Sequence, residues 1–156
     1  MGEAHGMKLF GLRAVESLRM EKGFLSWKAD LQTEFDPFET GLDRFVTLDK
    51  NNFIGKPALE KRLNEGPKQK LVSLKIKCSH APAHSGASLM NGNKVIGPIT
   101  SGDWGLRVGM NLAYAFVDPN KSKIGTKFTL DLLGELIPVE VIAAGPYDPS
   151  HKRLQI

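Results

Sequence analysis

Cysteine is nearly missing from this 156-residue chain; Cys78 is the only one. A single thiol excludes an internal disulfide framework and fits a reducing compartment. Also missing is any apolar run near the ~20 residues that a membrane-crossing helix needs. The opening residues lack the basic-then-apolar pattern of a secretory leader. Secretion by a segment within the chain is therefore not expected, an address upstream is left open, and cytoplasm or mitochondrial matrix both fit. There is no internal repeat and no low-complexity tract. Lys and Arg are not interleaved with aromatic platforms, which argues against nucleic acid. Lys75 and Lys77 instead alternate with Leu74 and Ile76, as on the wet face of a strand. Gly102, Gly105 and Gly109 lack the strand-then-helix context of a phosphate-binding fingerprint, and nothing resembles a dinucleotide fold. Cys78, His80 and His84 fall short of the four ligands of a structural zinc site, and Pro82 interrupts their presentation. No metal site is expected. Cys78 with a distant histidine lacks a nucleophile elbow, so no thiol chemistry is expected either.

What the chain does have is enough length for one domain, or one and a part. Its hydrophobic fraction of 41% is compatible with a packed core. Charge is uneven. Residues 1–66 carry ten Lys/Arg against eleven Asp/Glu, and residues 67–156 carry eleven against six. The excess in the second part reads as solvated lysines on strand faces or as attraction to an anionic ligand.

The organising stretch runs from Gly11 to Phe24. Leu12, Val15 and Leu18 recur every three residues, an apolar stripe of a short helix closed by Gly23. Arg19, Met20 and Glu21 read as that helix handing over to a strand. Glu21 is either a surface carboxylate paired with Arg19 or Lys22, or a carboxylate that must find donors among apolar neighbours. Phe24 to Phe35 reads as a loop anchored on the core by Trp27, Leu31 and Phe35. Asp36-Pro37 reads as a turn. Gly41 to Asp49 alternates and predicts a strand, with Arg44 as an edge charge or a buried partner. Pro57 starts a helix that Gly66-Pro67 ends.

Gly66-Pro67 is also the expected domain boundary. Beyond it the spacing predicts short strands: Leu71 to Cys78, Ala87 to Met90, Lys94 to Ile99, Met110 to Val117, Lys127 to Leu133 and Leu136 to Ala143. Asn91-Gly92 and Gly134-Glu135 mark hairpin turns. Pro138 pushes the last strand toward an edge or a bulge. Trp104 reads as lying in a glycine-flanked turn, beside an Asp103 with no evident partner. The expected fold class is α+β, and six short strands with glycine turns predict a small antiparallel β-barrel.

The motifs resemble, in order, those of the folate-dependent aminomethyltransferase family. That family includes the glycine cleavage T-protein and the C-terminal parts of dimethylglycine and sarcosine dehydrogenases. The resemblance is carried by Gly11 to Gly23, Asp36 to Leu42, Leu48-Asp49-Lys50 with Asn52 to Leu59, Ile99 to Gly102, and Pro146 to Pro149 with Arg153-Leu154. Leu25 to Leu31, with Trp27, favours the dehydrogenase-like branch.

The resemblance implies that residues 1–66 are the end of an α/β folate-binding domain and residues 67–156 a C-terminal barrel domain. It implies tetrahydrofolate as cofactor, a methylamine-derived substrate, and 5,10-methylenetetrahydrofolate as product. Any FAD would belong to a separate domain. The implied folate-binding residues are Glu21, Lys22, Lys50, Trp104 and Tyr147, with Glu21 taking two parallel donors of the pterin edge on its two oxygens. Trp27 would run near the folate cavity. The family's catalytic Asp lies upstream, so no residue here is assigned catalysis. The expectation is a partial chain whose other half is an upstream segment or a partner subunit, with an exposed apolar patch where that half packs. Two rivals are a non-catalytic basic barrel that docks a protein or single-stranded nucleic acid, and a relic kept for assembly alone.

Overall fold

The computed structural model describes residues 2–155. Three helices precede six strands. Helix α1 spans Leu12–Lys22, α2 Pro37–Thr40 and α3 Lys56–Glu65. The strands are β1 Lys70–Ile76, β2 Ser88–Asn91, β3 Lys94–Gly105, β4 Met110–Val117, β5 Lys127–Leu132 and β6 Glu135–Ile142. They close into a barrel in the order β1-β4-β3-β2-β5-β6, every pairing antiparallel.

Alternation builds the barrel core. Val72, Leu74, Ile76 and Cys78 turn inward, as their spacing predicts, and meet Leu89, Ile99, Leu130, Val139 and Val141. Each large aliphatic side chain taken from water contributes about 1.5–3 kcal/mol. On β4 the small residues face inward: Ala113, Ala115 and Val117 join the barrel core. The large ones on the other face, Leu112 and Tyr114, pack outside the barrel against Met20 of α1. A strand buried on both faces is thus the seam between the helices and the barrel.

Turn chemistry sets the register. Gly92 supplies the positive φ of 60° in the β2–β3 hairpin, and Leu133-Gly134 supplies two positive φ values between β5 and β6.

Several expectations need correction. Residues 41–49 form no strand; Asp43–Phe45 is a 3-10 turn, and Arg44 is exposed over the Phe45 ring. Alternation there has no partner strand, because the six barrel strands pair only with one another. Asp36-Pro37 opens a helix, with Asp36 and Glu39 completing a reciprocal capping box. Helix α1 does not hand over to a strand; it continues to Lys22 and ends at Gly23. Its Leu12, Val15 and Leu18 face solvent, while Ser17, Met20 and Glu21 are buried. Trp27 is 65% exposed; Phe35, its ring 4.1 Å from Phe116, packs on the barrel in its place. Trp104 lies in β3, one residue before the strand ends, not in a turn. Pro138 sits in a strand paired on both sides, and its carbonyl accepts the Lys77 N–H at 3.0 Å.

Tyr114 carries a pH-dependent prediction. Its hydroxyl donates to the Met20 carbonyl at 3.3 Å, and burial pushes its pKa up to about 12. A raised folded pKa favours the protonated form, so this stability is complete below the ordinary value of 10 and is lost between 10 and about 12. Urea titrations across that window should show wild type losing about 2 kcal/mol more than Tyr114→Phe. Parallel losses in both proteins would show that Tyr114 does not titrate differently on folding.

Candidate functional site

The buried face of α1 positions the site. Met20 wedges against Leu112 and Tyr114, and the Ser17 hydroxyl donates to the Trp104 carbonyl at 2.5 Å. This locks the helix across β3 and β4 and carries Glu21 inward, where only 1% of it is exposed. Its Oε1 accepts the backbone N–H of Arg107 at 2.5 Å and of Val108 at 3.3 Å. Both donors belong to the turn between β3 and β4. Gly105 makes the approach possible, since a Cβ there would stand 3.0 Å from Glu21 Cγ and 2.7 Å from Val108 Cγ2. Two donors fill the lone pairs of Oε1. Among the described residues Oε2 has no hydrogen-bond partner, and no fully buried polar side-chain atom is left unpaired. Oε2 is therefore at most marginally exposed, in a residue that is 1% exposed as a whole.

Glu21 lines a cavity of about 620 Å³. Val15, Leu18 and Phe24 supply an apolar wall; Glu21, Arg107 and Tyr147 supply polar groups. The wall contains Val15 and Leu18 of the solvent-facing stripe of α1, so these two side chains line a cavity edge.

The chain's tail forms the opposite side. The Tyr147 N–H donates to the Glu21 carbonyl at 2.9 Å. Lys22 Nζ pairs with Asp148 Oδ2 at 2.9 Å and holds the Asp148 carboxyl below its ordinary pKa. The guanidinium carbons of Arg107 and Arg153 lie 5.5 and 5.6 Å from the centre of the Tyr147 ring. Close passage of tail and helix depends on Gly145, where a Cβ would stand 2.7 Å from the Lys22 carbonyl oxygen.

A second polar cluster braces the same helix. Arg19 bonds Asp30 at 3.0 Å, Ser101 at 2.9 Å and the Phe24 carbonyl at 3.1 Å, and pairs with Glu16 at 2.6 Å. Asp30 is fully buried and also accepts the Ser26 N–H and the Thr100 hydroxyl. Burial lowers the Arg19 pKa, but Glu16 and Asp30 outweigh it and leave the guanidinium more firmly charged than usual. Asp103 does have a partner: Arg13 at 3.1 Å, 90 residues away.

Of the residues singled out in the sequence, Glu21, Lys22 and Tyr147 come together. Trp104 touches the group only through its carbonyl, and its side chain does not line the cavity. Lys50 lies apart and exposed beside Phe45 and Phe53, its carbonyl accepting Lys56 Nζ at 3.0 Å. Sequence reasoning missed Arg107 and Val108, whose contribution is backbone N–H groups that no side-chain pattern announces. Arg153 lay inside a recognised motif without a role. Cys78 Sγ lies 3.6 Å from His80 Nδ1, while His84 turns to the Ser85 carbonyl. Among the described residues no three His, Cys, Asp or Glu side chains are grouped to hold a metal, and no helix is long and apolar enough to cross a membrane.

Known proteins share this architecture. The family model for the glycine cleavage T-protein C-terminal barrel domain matches residues 69–148, and that for the GCVT N-terminal domain matches residues 1–50. Mitochondrial dimethylglycine dehydrogenase of Mus musculus is 34% identical over 99% of this chain, which covers 18% of that protein. The aminomethyltransferase of Saccharopolyspora erythraea is 36% identical over 91% of this chain, which covers 39% of it. The crystal structure of glycine cleavage system aminomethyltransferase T from Bartonella henselae superposes with a TM-score of 0.84 at 28% identity, over 91% of this chain and 40% of that one. The chain thus spans less than half the length of these relatives. Because the barrel-domain match alone takes in just over half of its residues, the chain belongs to the glycine cleavage T-protein family.

Proposed function

We propose that this chain is the C-terminal portion of a tetrahydrofolate-dependent one-carbon transfer protein. Residues 1–66 would complete a folate-binding domain, and residues 67–156 would be the barrel that closes its cavity. The observation that carries the reading is Glu21: a buried carboxylate that lines an apolar-walled cavity, with one oxygen held by two backbone N–H groups and the other without a partner among the described residues. A pterin edge offers an N–H beside an amino group and suits such an acceptor. The two-oxygen pairing implied by the resemblance requires Oε1 to release one of its backbone donors; without that, Oε2 takes the ligand alone. Tetrahydrofolate supplies the nitrogen that receives the one-carbon unit, with 5,10-methylenetetrahydrofolate as product. In this reading Glu21 orients the ring, Tyr147 and Arg107 bound it, and Lys22 acts indirectly by fixing the tail through Asp148. Lys50 and Trp104 do not line this cavity, so the reading assigns them no contact within it.

The catalytic acid and the rest of the cavity would come from an upstream segment or a partner subunit, in the cytoplasm or the mitochondrial matrix. Exposed Leu9, Phe10 and Leu12 supply an apolar face for that half to cover. The substrate would be methylamine-derived, and the isolated chain would bind folate weakly and not turn over.

Calorimetric titration with tetrahydrofolate tests the reading. Glu21→Gln keeps an oxygen for the Arg107 and Val108 N–H groups but replaces the free acceptor with a donor. Binding should weaken at least tenfold, about 1.4 kcal/mol. Equal affinity of both proteins would take the pterin off Glu21.

A further inference from the structure

We infer a second ligand site at the β2–β3 hairpin, built to take a small phosphate monoester. Lys68, from the segment before β1, Lys94, opening β3, and Lys121, from the 3-10 turn Pro119–Lys121, line one cavity of about 360 Å³. It shares no lining residue with the cavity beside Glu21. None of the three lysines is in an ion pair among the described residues. The only carboxylate in the lining is Asp118, and its Oδ1 is engaged by the Asn120 N–H at 2.8 Å.

Three lysines therefore line one cavity that has a single opposing charge. A cavity of this volume is about 9 Å across, comparable to the Debye length of about 8 Å at physiological salt, so the lysines are only partly screened from one another. A dianion between them replaces repulsion by three attractions. Lysine binds phosphate as a movable point charge and needs no bidentate geometry. Gln69 and Asn91 are half-buried in the same lining, with side-chain amides that make no hydrogen bond among the described residues. They add neutral donors for the remaining oxygens. Val95, Ile96 and Phe116 give the cavity an apolar side on which the ester's organic group can lie. A monocarboxylate would satisfy one lysine and leave two, and a long polyanion would need basic residues continuing past the cavity.

The probes are ribose 5-phosphate and inorganic phosphate, added to the whole chain and followed by amide NMR shifts and calorimetry. Expected is saturable binding of ribose 5-phosphate, tighter than inorganic phosphate, with shifts at Asn91, Lys94 and Lys121. Lys94→Gln with Lys121→Gln should weaken it at least tenfold. Lys75→Gln with Lys77→Gln, the same charge change on the outer face of the barrel, should leave it unchanged. Absence of saturable binding, or equal losses in the two double variants, would overturn the proposal. So would tighter, strongly salt-dependent binding of a single-stranded oligonucleotide, which marks a polyanion surface.

Discussion

Asp30→Ala is expected to lower the unfolding free energy by about 2–4 kcal/mol, because it takes the fully buried carboxylate from Arg19, leaving Glu16 as its ion-pair partner, and removes the acceptor of the Ser26 N–H. Arg19 keeps only 11% of its side chain exposed, and Asp30 keeps none. The carboxylate also holds the Ser26 N–H and the Thr100 hydroxyl, so one truncation removes bonds to three segments, although the Thr100 hydroxyl keeps the Tyr114 carbonyl at 3.3 Å. Urea denaturation of the variant gives the number. Arg19→Met combined with Asp30→Asn removes both charges, keeps an acceptor oxygen for the Ser26 N–H and should recover much of the loss. A loss under about 1 kcal/mol for Asp30→Ala would place the pair in the class of weak surface contacts.

The second large effect is expected at Gly145. Its φ is 64°, and a side chain there meets the Lys22 carbonyl. Gly145→Val adds a branched side chain in a left-handed conformation against immovable backbone, a cost of about 2–4 kcal/mol. Only the last residues depend on this approach, so the expected outcome is release of the tail with the barrel intact. Trypsin should then cut quickly at Lys152 and Arg153, while β-sheet circular dichroism persists. Lys22→Met removes the Asp148 ion pair alone and should loosen the tail less. An unchanged digestion rate in Gly145→Val would mean that the Tyr147 N–H bond and the arginines around its ring hold the tail without the helix contact.

The barrel was legible because each strand carries its own instructions. Leu71 to Cys78 alternates into a core that exists whichever neighbour it meets, and Asn91-Gly92 fixes a hairpin locally. The helical part was harder because its burial is decided from afar. The stripe of Leu12, Val15 and Leu18 promises a buried face, yet β3 and β4 lie on the other side and take Met20 and Glu21. Residues 41–49 show the reverse error: a period of two with no strand available to pair. Glu21 itself was found through resemblance, while its two donors, 86 and 87 residues away, are backbone groups with no side-chain signature. The same distance hid the partner of Asp103 and the network around Asp30.

Closure of the six strands has a consequence for how this unit can be used. An open sheet exposes a row of backbone donors and acceptors along its outer strand, ready to recruit any passing segment. Here β1 pairs with both β4 and β6, so the ring has no such seam. A stretch matching this chain makes up 18% of one relative and 39% of another, and closure lets the barrel sit in hosts of such different size without adding a strand-pairing hazard. What a host must match is the helix side, where α1 and the tail present apolar and charged groups to whatever adjoins them.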